Sequence, residues 1–153
     1  LLISMGIRLE VSKVIDAPID IVWSIVSDLD NEPKYWHGTK SIKNISVDGN
    51  TITREVIIAF RDSLCKEVVS IEPSKRVIDI NILDGPMQGH KVITLDDMNG
   101  KTKVNVLWDI RLKGILSVFS SMVKGHIEEG TKDALERINS AATDAAIGSN
   151  NNK

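Results

Sequence analysis

Four ionisable side chains carry most of the chemistry this sequence offers: Arg54, Glu67, Lys91 and His126. Each falls on the same phase as the apolar residues around it, three in alternating stretches and one in a helically spaced stretch. Cations, a carboxylate and an imidazole facing one interior can hold an anionic or hydroxylated group, or exchange a proton with it. An unpaired charge in a dry core costs about several kcal/mol, so four inward charges must pair with one another or meet water. Arg54 or Lys91 could pair with Glu67. A wet, mostly apolar hollow with a few convergent polar groups is a small-molecule site. Taken singly, each residue is better explained by a strand end where its head reaches solvent, or by a bulge that turns it outward. Taken together they favour the hollow. Lys13 is a further candidate for the set.

Other constellations yield less. His126, Glu129 and Asp133 stand at i, i+3 and i+7, a spacing at which metal ligands converge. A solvated helix face with Glu128, Lys132, Glu136 and Arg137 explains the same spacing, and no second cluster completes a shell. No metal or cofactor is therefore expected. Cys65 is the sole cysteine and has no base in its register, so it reads as a small buried hydrophobe. The run Asp84-Gly85-Pro86-Met87-Gln88-Gly89 lacks the Lys-Ser/Thr of a phosphate loop and reads as a turn. Trp23 belongs to the core, whereas Trp36 either lines the mouth of the hollow or plugs the core.

The elements that must position these residues follow from periodicity. Ile7 to Ile15 alternates as a strand, with Ile7, Leu9, Val11, Lys13 and Ile15 on one face. Pro18 suits the first turn of a helix that Asp16 is placed to cap, running through Ile19, Val22, Trp23, Ile25 and Val26 to about Asp28. Residues 31–41 read as loop or a short helical turn. Turn signals then recur at Asp48-Gly49-Asn50, Asp62-Ser63, Pro73-Ser74, Asp84-Gly85-Pro86 and Asn99-Gly100, which implies six consecutive antiparallel strands. After Gly114 the period becomes 3.6, and Ile115, Phe119, Met122, Val123, Ile127, Ala134, Leu135, Ile138, Ala141 and Ala142 form one stripe. The order is strand, helix, six strands, long helix, and only the last helix is long enough to cover the apolar face of the sheet.

Register supplies the inward set. A two-residue loop at Asp62-Ser63 pairs Phe60 with Cys65, Ile58 with Glu67, Val56 with Val69 and Arg54 with Ile71. An Asn99-Gly100 turn pairs Ile93 with Val106 and Lys91 with Trp108, and turns His90 outward. Ile52, Ile78, Ile80 and Ile82 continue the inner surface.

Composition bounds the class. The 153 residues suit one domain, expected over residues 1–147, with a disordered Ser/Asn-rich tail over residues 148–153. A net charge of −2 provides no basic footprint for nucleic acid. A lone cysteine fits a reducing compartment, so the expected location is cytoplasmic and the sequon at Asn44 is read as chance. No stretch approaches the length of a membrane span, and Met5 is the expected natural start.

Strand one together with APIDIVWSIVSDLDNEPKYW, Ala17 to Trp36, resembles the helix-grip superfamily that includes START lipid-transfer domains, the birch-pollen allergen and polyketide cyclase/dehydrase and lipid-transport proteins (SRPBCC). WDIRLKG, Trp108 to Gly114, resembles that family's last strand leading into its long helix. The resemblance implies an α+β fold in which a curved seven-stranded antiparallel sheet wraps a long C-terminal helix. It carries over no catalytic residue, since the superfamily spans carriers, cyclases, hydratases and assembly factors. The expected function is a binding or carrier domain for an apolar small molecule, a lipid, polyketide or isoprenoid-like compound. Arg54 or Lys91 would hold an anionic end, with Trp108, Met122 and Phe60 along the body, and Glu67, His126 and Trp36 completing the site. The alternatives are a cyclase or dehydratase using His126 or Glu67 as general base, and an assembly factor with a closed core. The residues favour binding over catalysis.

Overall fold

Ile and Val at every second position drive the chain into strands, and the computed structural model, which describes residues 5–151, contains seven. They are β1 (Met5–Ile15), β2 (Thr39–Asp48), β3 (Thr51–Ile58), β4 (Ser63–Glu72), β5 (Val77–Asp84), β6 (Met87–Asp97) and β7 (Thr102–Leu112). All neighbours are antiparallel in the order β1-β7-β6-β5-β4-β3-β2, so the first strand closes the meander beside the last. Helices α1 (Ile19–Val26) and α2 (Glu32–Tyr35) lie between β1 and β2, and α3 (Ile115–Val118) and α4 (Ser120–Asn151) follow β7. The expected α+β helix-grip architecture is the one observed. The expectation that residues 1–4 precede the natural start falls outside the described residues.

The 3.6-period stripe divides in two. Ala134, Leu135, Ile138 and Ala142 are fully buried, where α4 packs on β1 and α1. The N-terminal half covers less: Ile115, Phe119 and Met122, expected in the buried stripe, are exposed. Phe119, at φ −108° and ψ 31°, breaks the helix between α3 and α4, so a single straight stripe cannot continue through it. The helix extends through Asn151, carrying residues 148–151 beyond the boundary expected for the domain.

Two local expectations are corrected. Pro18 caps α1 through its carbonyl, which accepts the Ile21 and Val22 N–H groups, and no side chain caps this end, so Asp16 does not. The β3–β4 loop is longer than two residues, with a 3-10 turn over Phe60–Asp62 in which Arg61 and Asp62 take positive φ. Ile58 therefore pairs with Ser63, Val56 with Cys65 and Arg54 with Glu67. The slip is even-numbered, so each side chain keeps its face. Consequently Arg54 stands directly opposite Glu67. The β6–β7 register is as the Asn99-Gly100 turn dictates, with Lys91 opposite Trp108, and His90 outward beside Asp79.

Candidate functional site

Where the N-terminal half of α4 lifts away, the sheet and helices enclose a cavity of about 520 Å³. That volume lies in the range of small-molecule sites. Its floor is Ile80 and Ile82 of β5, Cys65 and Glu67 of β4, and Ile58 of β3. Leu116, Val123 and Ile127 form the roof, and Trp36 and Trp108 one wall. The exposed residues His37, in the turn before β2, Ala59, just after β3, and His126 of α4 mark the open rim.

One buried charge cluster underlies this cavity. The Arg54 side chain is 1% exposed. Its Nη2 donates to Glu32 Oε1 at 2.8 Å and its Nε to Glu67 Oε1 at 2.9 Å. The Thr39 hydroxyl donates to the other Glu32 oxygen at 2.9 Å. Burial alone would raise the Glu32 pKa, but the positive charges of Lys91 and Arg54 outweigh it and hold this carboxyl below its ordinary value. Glu67 is raised, because burial and the neighbouring Glu32 charge outweigh the help it draws from Arg54. Arg54 Nη1 is buried without a hydrogen-bond partner among the described residues.

Lys91 is arranged differently. The residue is 4% exposed, yet its ammonium forms no ion pair with a described carboxylate. It lies 3.1 Å from the centroid of the Trp36 ring and 5.0 Å from that of Trp108. Burial lowers its pKa to about 8, against the opposing pull of Glu32 and Glu67. Two indole faces partly replace the lost hydration of the cation. Trp108 is fixed in turn, its Nε1 donating to Thr131 Oγ1 at 3.0 Å while the Thr131 hydroxyl donates to the Ile127 carbonyl at 2.6 Å. This pair of bonds ties β7 to α4 beside the cavity.

Of the residues singled out from sequence, the fold brings Glu67, Lys91, Trp108, Phe60, Trp36 and His126 to the cavity wall. Arg54 lies behind that wall, its Nε and Nη2 held by two carboxylates, and Met122 points outward at 59% exposure. Lys13 leaves the cluster to pair with Glu136 of α4 at 2.7 Å. The His126, Glu129 and Asp133 spacing does not converge: among the described residues no three His, Cys, Asp or Glu side chains form a metal-holding group. Glu32 and Thr131 were missed. Glu32 left a signal in the charge balance, since two inward cations and one inward carboxylate call for a second acid from a covering element. Thr131 left none, because a threonine in a long helix resembles any tolerated polar residue.

The profile of the family described as polyketide cyclase / dehydrase and lipid transport matches residues 6–143. The chain belongs to this family. No curated protein sequence matches it. A Thermus thermophilus protein of known structure superposes with a TM-score of 0.78 at 12% identity, covering 92% of this chain and 99% of the other. A START superfamily protein from Mycobacterium smegmatis gives 0.74 at 15%, covering 90% and 98%. The ZhuI aromatase/cyclase of a Streptomyces species gives 0.64 at 14%, covering 95% and 93%. At these identities the likeness is one of fold. Among the described residues no helix is long and apolar enough to cross a membrane.

Proposed function

We propose that this chain is a binding or carrier domain for an apolar small molecule with one anionic end, a lipid-, polyketide- or isoprenoid-like compound held between sheet and C-terminal helix. The observation that carries the reading is the Lys91 ammonium, buried on the wall of a mostly apolar cavity with no carboxylate among the described residues paired to it. A carboxylate or phosphate entering the cavity would supply that missing partner. Arg54 does not line the cavity, and its Nε and Nη2 are already held by Glu67 and Glu32. Trp108, Trp36 and Phe60 would flank the apolar body, with His126 at the rim. The test is displacement of an apolar fluorescent dye by fatty acids, matched against their methyl esters. Acids should compete better than esters, by about tenfold if one charge-assisted hydrogen bond is at stake. Lys91→Met should erase the difference. A protein that binds no dye and carries nothing in native mass spectrometry would remove the reading.

A second reading, a cyclase or dehydratase in the same cavity, is favoured by one feature. Glu67 and Lys91 line one cavity, with the carboxyl pushed up and the amine pushed down to about 8. Groups tuned toward neutrality in this way are suited to proton transfer. In that reading Glu67→Gln abolishes turnover of a bound polyketide while the melting temperature holds. Undiminished turnover would exclude Glu67 as the base.

A further inference from the structure

The segment after β7 presents an unusual surface. Ile115, Val118, Phe119 and Met122 are all between 48% and 74% exposed, within eight residues of chain. Leu116 is buried and anchors this turn to the body, and the break at Phe119 separates it from the axis of α4. The surface is not simply unpolished. From Ile110 to Ile127 there is no Asp or Glu, while Lys113 and Lys124 alone give a local formal charge of +2 in a chain of net −2. Its inner side is continuous with the cavity, for Leu116, Val123, His126 and Ile127 of the same segment line it.

We infer that this apolar tip with its basic flank docks on the surface of an anionic lipid bilayer and turns the cavity mouth toward the acyl chains. Large apolar side chains ringed by lysine partition into the boundary between headgroups and acyl chains, and the lysines add attraction to anionic lipid. A net negative protein is not drawn to such a surface as a whole, so the local charge decides which face approaches. A second copy of the chain is the poorer occupant, because apposed tips would bring Lys113 and Lys124 against their own counterparts. The orientation of the mouth rests on the ligand-binding reading above, whereas docking itself does not.

The experiment is sedimentation of the full chain with vesicles of phosphatidylcholine alone and of phosphatidylcholine mixed with phosphatidylglycerol, at low and high salt. Binding is expected to the mixed vesicles, weakened by salt, and reduced about tenfold or more in Ile115→Asp/Val118→Asp. Neither residue lines the cavity, so dye displacement by fatty acids should be retained in that variant. Val47→Asp, at an exposed site on the outer strand β2, should bind vesicles as the parent does. The inference is overturned if the parent ignores mixed vesicles, or if the double variant binds them equally well. It is overturned in favour of self-association if the parent sediments as a dimer that the double variant dissolves, without vesicle binding. Failure of dye binding in the parent, with vesicle binding intact, would instead remove the cavity reading and leave docking standing.

Discussion

Arg54 and Lys91 sit on neighbouring parts of the same inner surface and are neutralised in different ways. Arg54 has two carboxylates of its own, and removing it would leave Glu32 and Glu67 facing one another in the interior. Arg54→Met should therefore cost about 3–5 kcal/mol in chemical denaturation. Adding Glu67→Gln to it should recover part of that loss, and strict additivity of the two changes would contradict the coupling. Lys91 lacks an ion-pair partner among the described residues, and its pKa is lowered to about 8 by burial. If it holds the anionic end of a ligand, affinity should stay level below pH 8 and fall above it as the amine loses its proton. Bound anion would move the fall to somewhat higher pH, never lower. Fatty-acid affinity measured from pH 6 to 10 checks this, with Lys91→Met expected to give a flat profile.

At the scale of elements, close approaches in the sheet set what can be replaced. Gly89 in β6 has φ of +132°, and a Cβ there would lie 2.2 Å from the Asp109 carbonyl oxygen and 2.7 Å from Ile110 Cα. Gly89→Ala should destabilise by about 2–4 kcal/mol, whereas Gly100→Ala, in an open turn, should cost about 1. Thr131 ties α4 to Trp108, so Thr131→Val leaves a part-buried indole N–H without its partner, at about 1–3 kcal/mol. Thermal melts of the three variants check these values. Much of this level is legible in the sequence, because alternation, Asn99-Gly100 and the other turns fix which face each strand residue occupies. The inward positions of Arg54, Glu67 and Lys91 follow from that parity alone. Their direct pairing does not, since the length of the Phe60–Asp62 loop depends on positive φ at two successive residues, and Arg61 has no preference for it although Asp62 does. Glu32 reaches Arg54 from the four-residue helix α2, too short to show a periodicity that would place it.

For the whole molecule, stability is distributed unevenly along the lid. The half of α4 from Thr131 onward packs on β1 and α1, while the half before it roofs a cavity and has no fully buried side chain. Amide exchange should therefore be faster over residues 120–130 than over residues 131–146, by orders of magnitude if the first half opens locally. Uniform protection along α4 would show that the roof is as firmly held as the rest. An apolar stripe drawn from sequence could not separate these halves, because Ile127 and Ile138 fall on the same face of the helix and differ in what lies beneath them, a cavity under one and packed core under the other.

The two indoles around Lys91 have an optical consequence. Of the three tryptophans, Trp36 and Trp108 face the cavity, while Trp23 stacks with Arg76. A guest that displaces water from the cavity or draws the ammonium off the Trp36 ring must change the emission of two fluorophores out of three. The protein thus contains its own occupancy gauge. Replacing Trp23 with Phe would leave a chain whose intrinsic fluorescence reports on that wall alone.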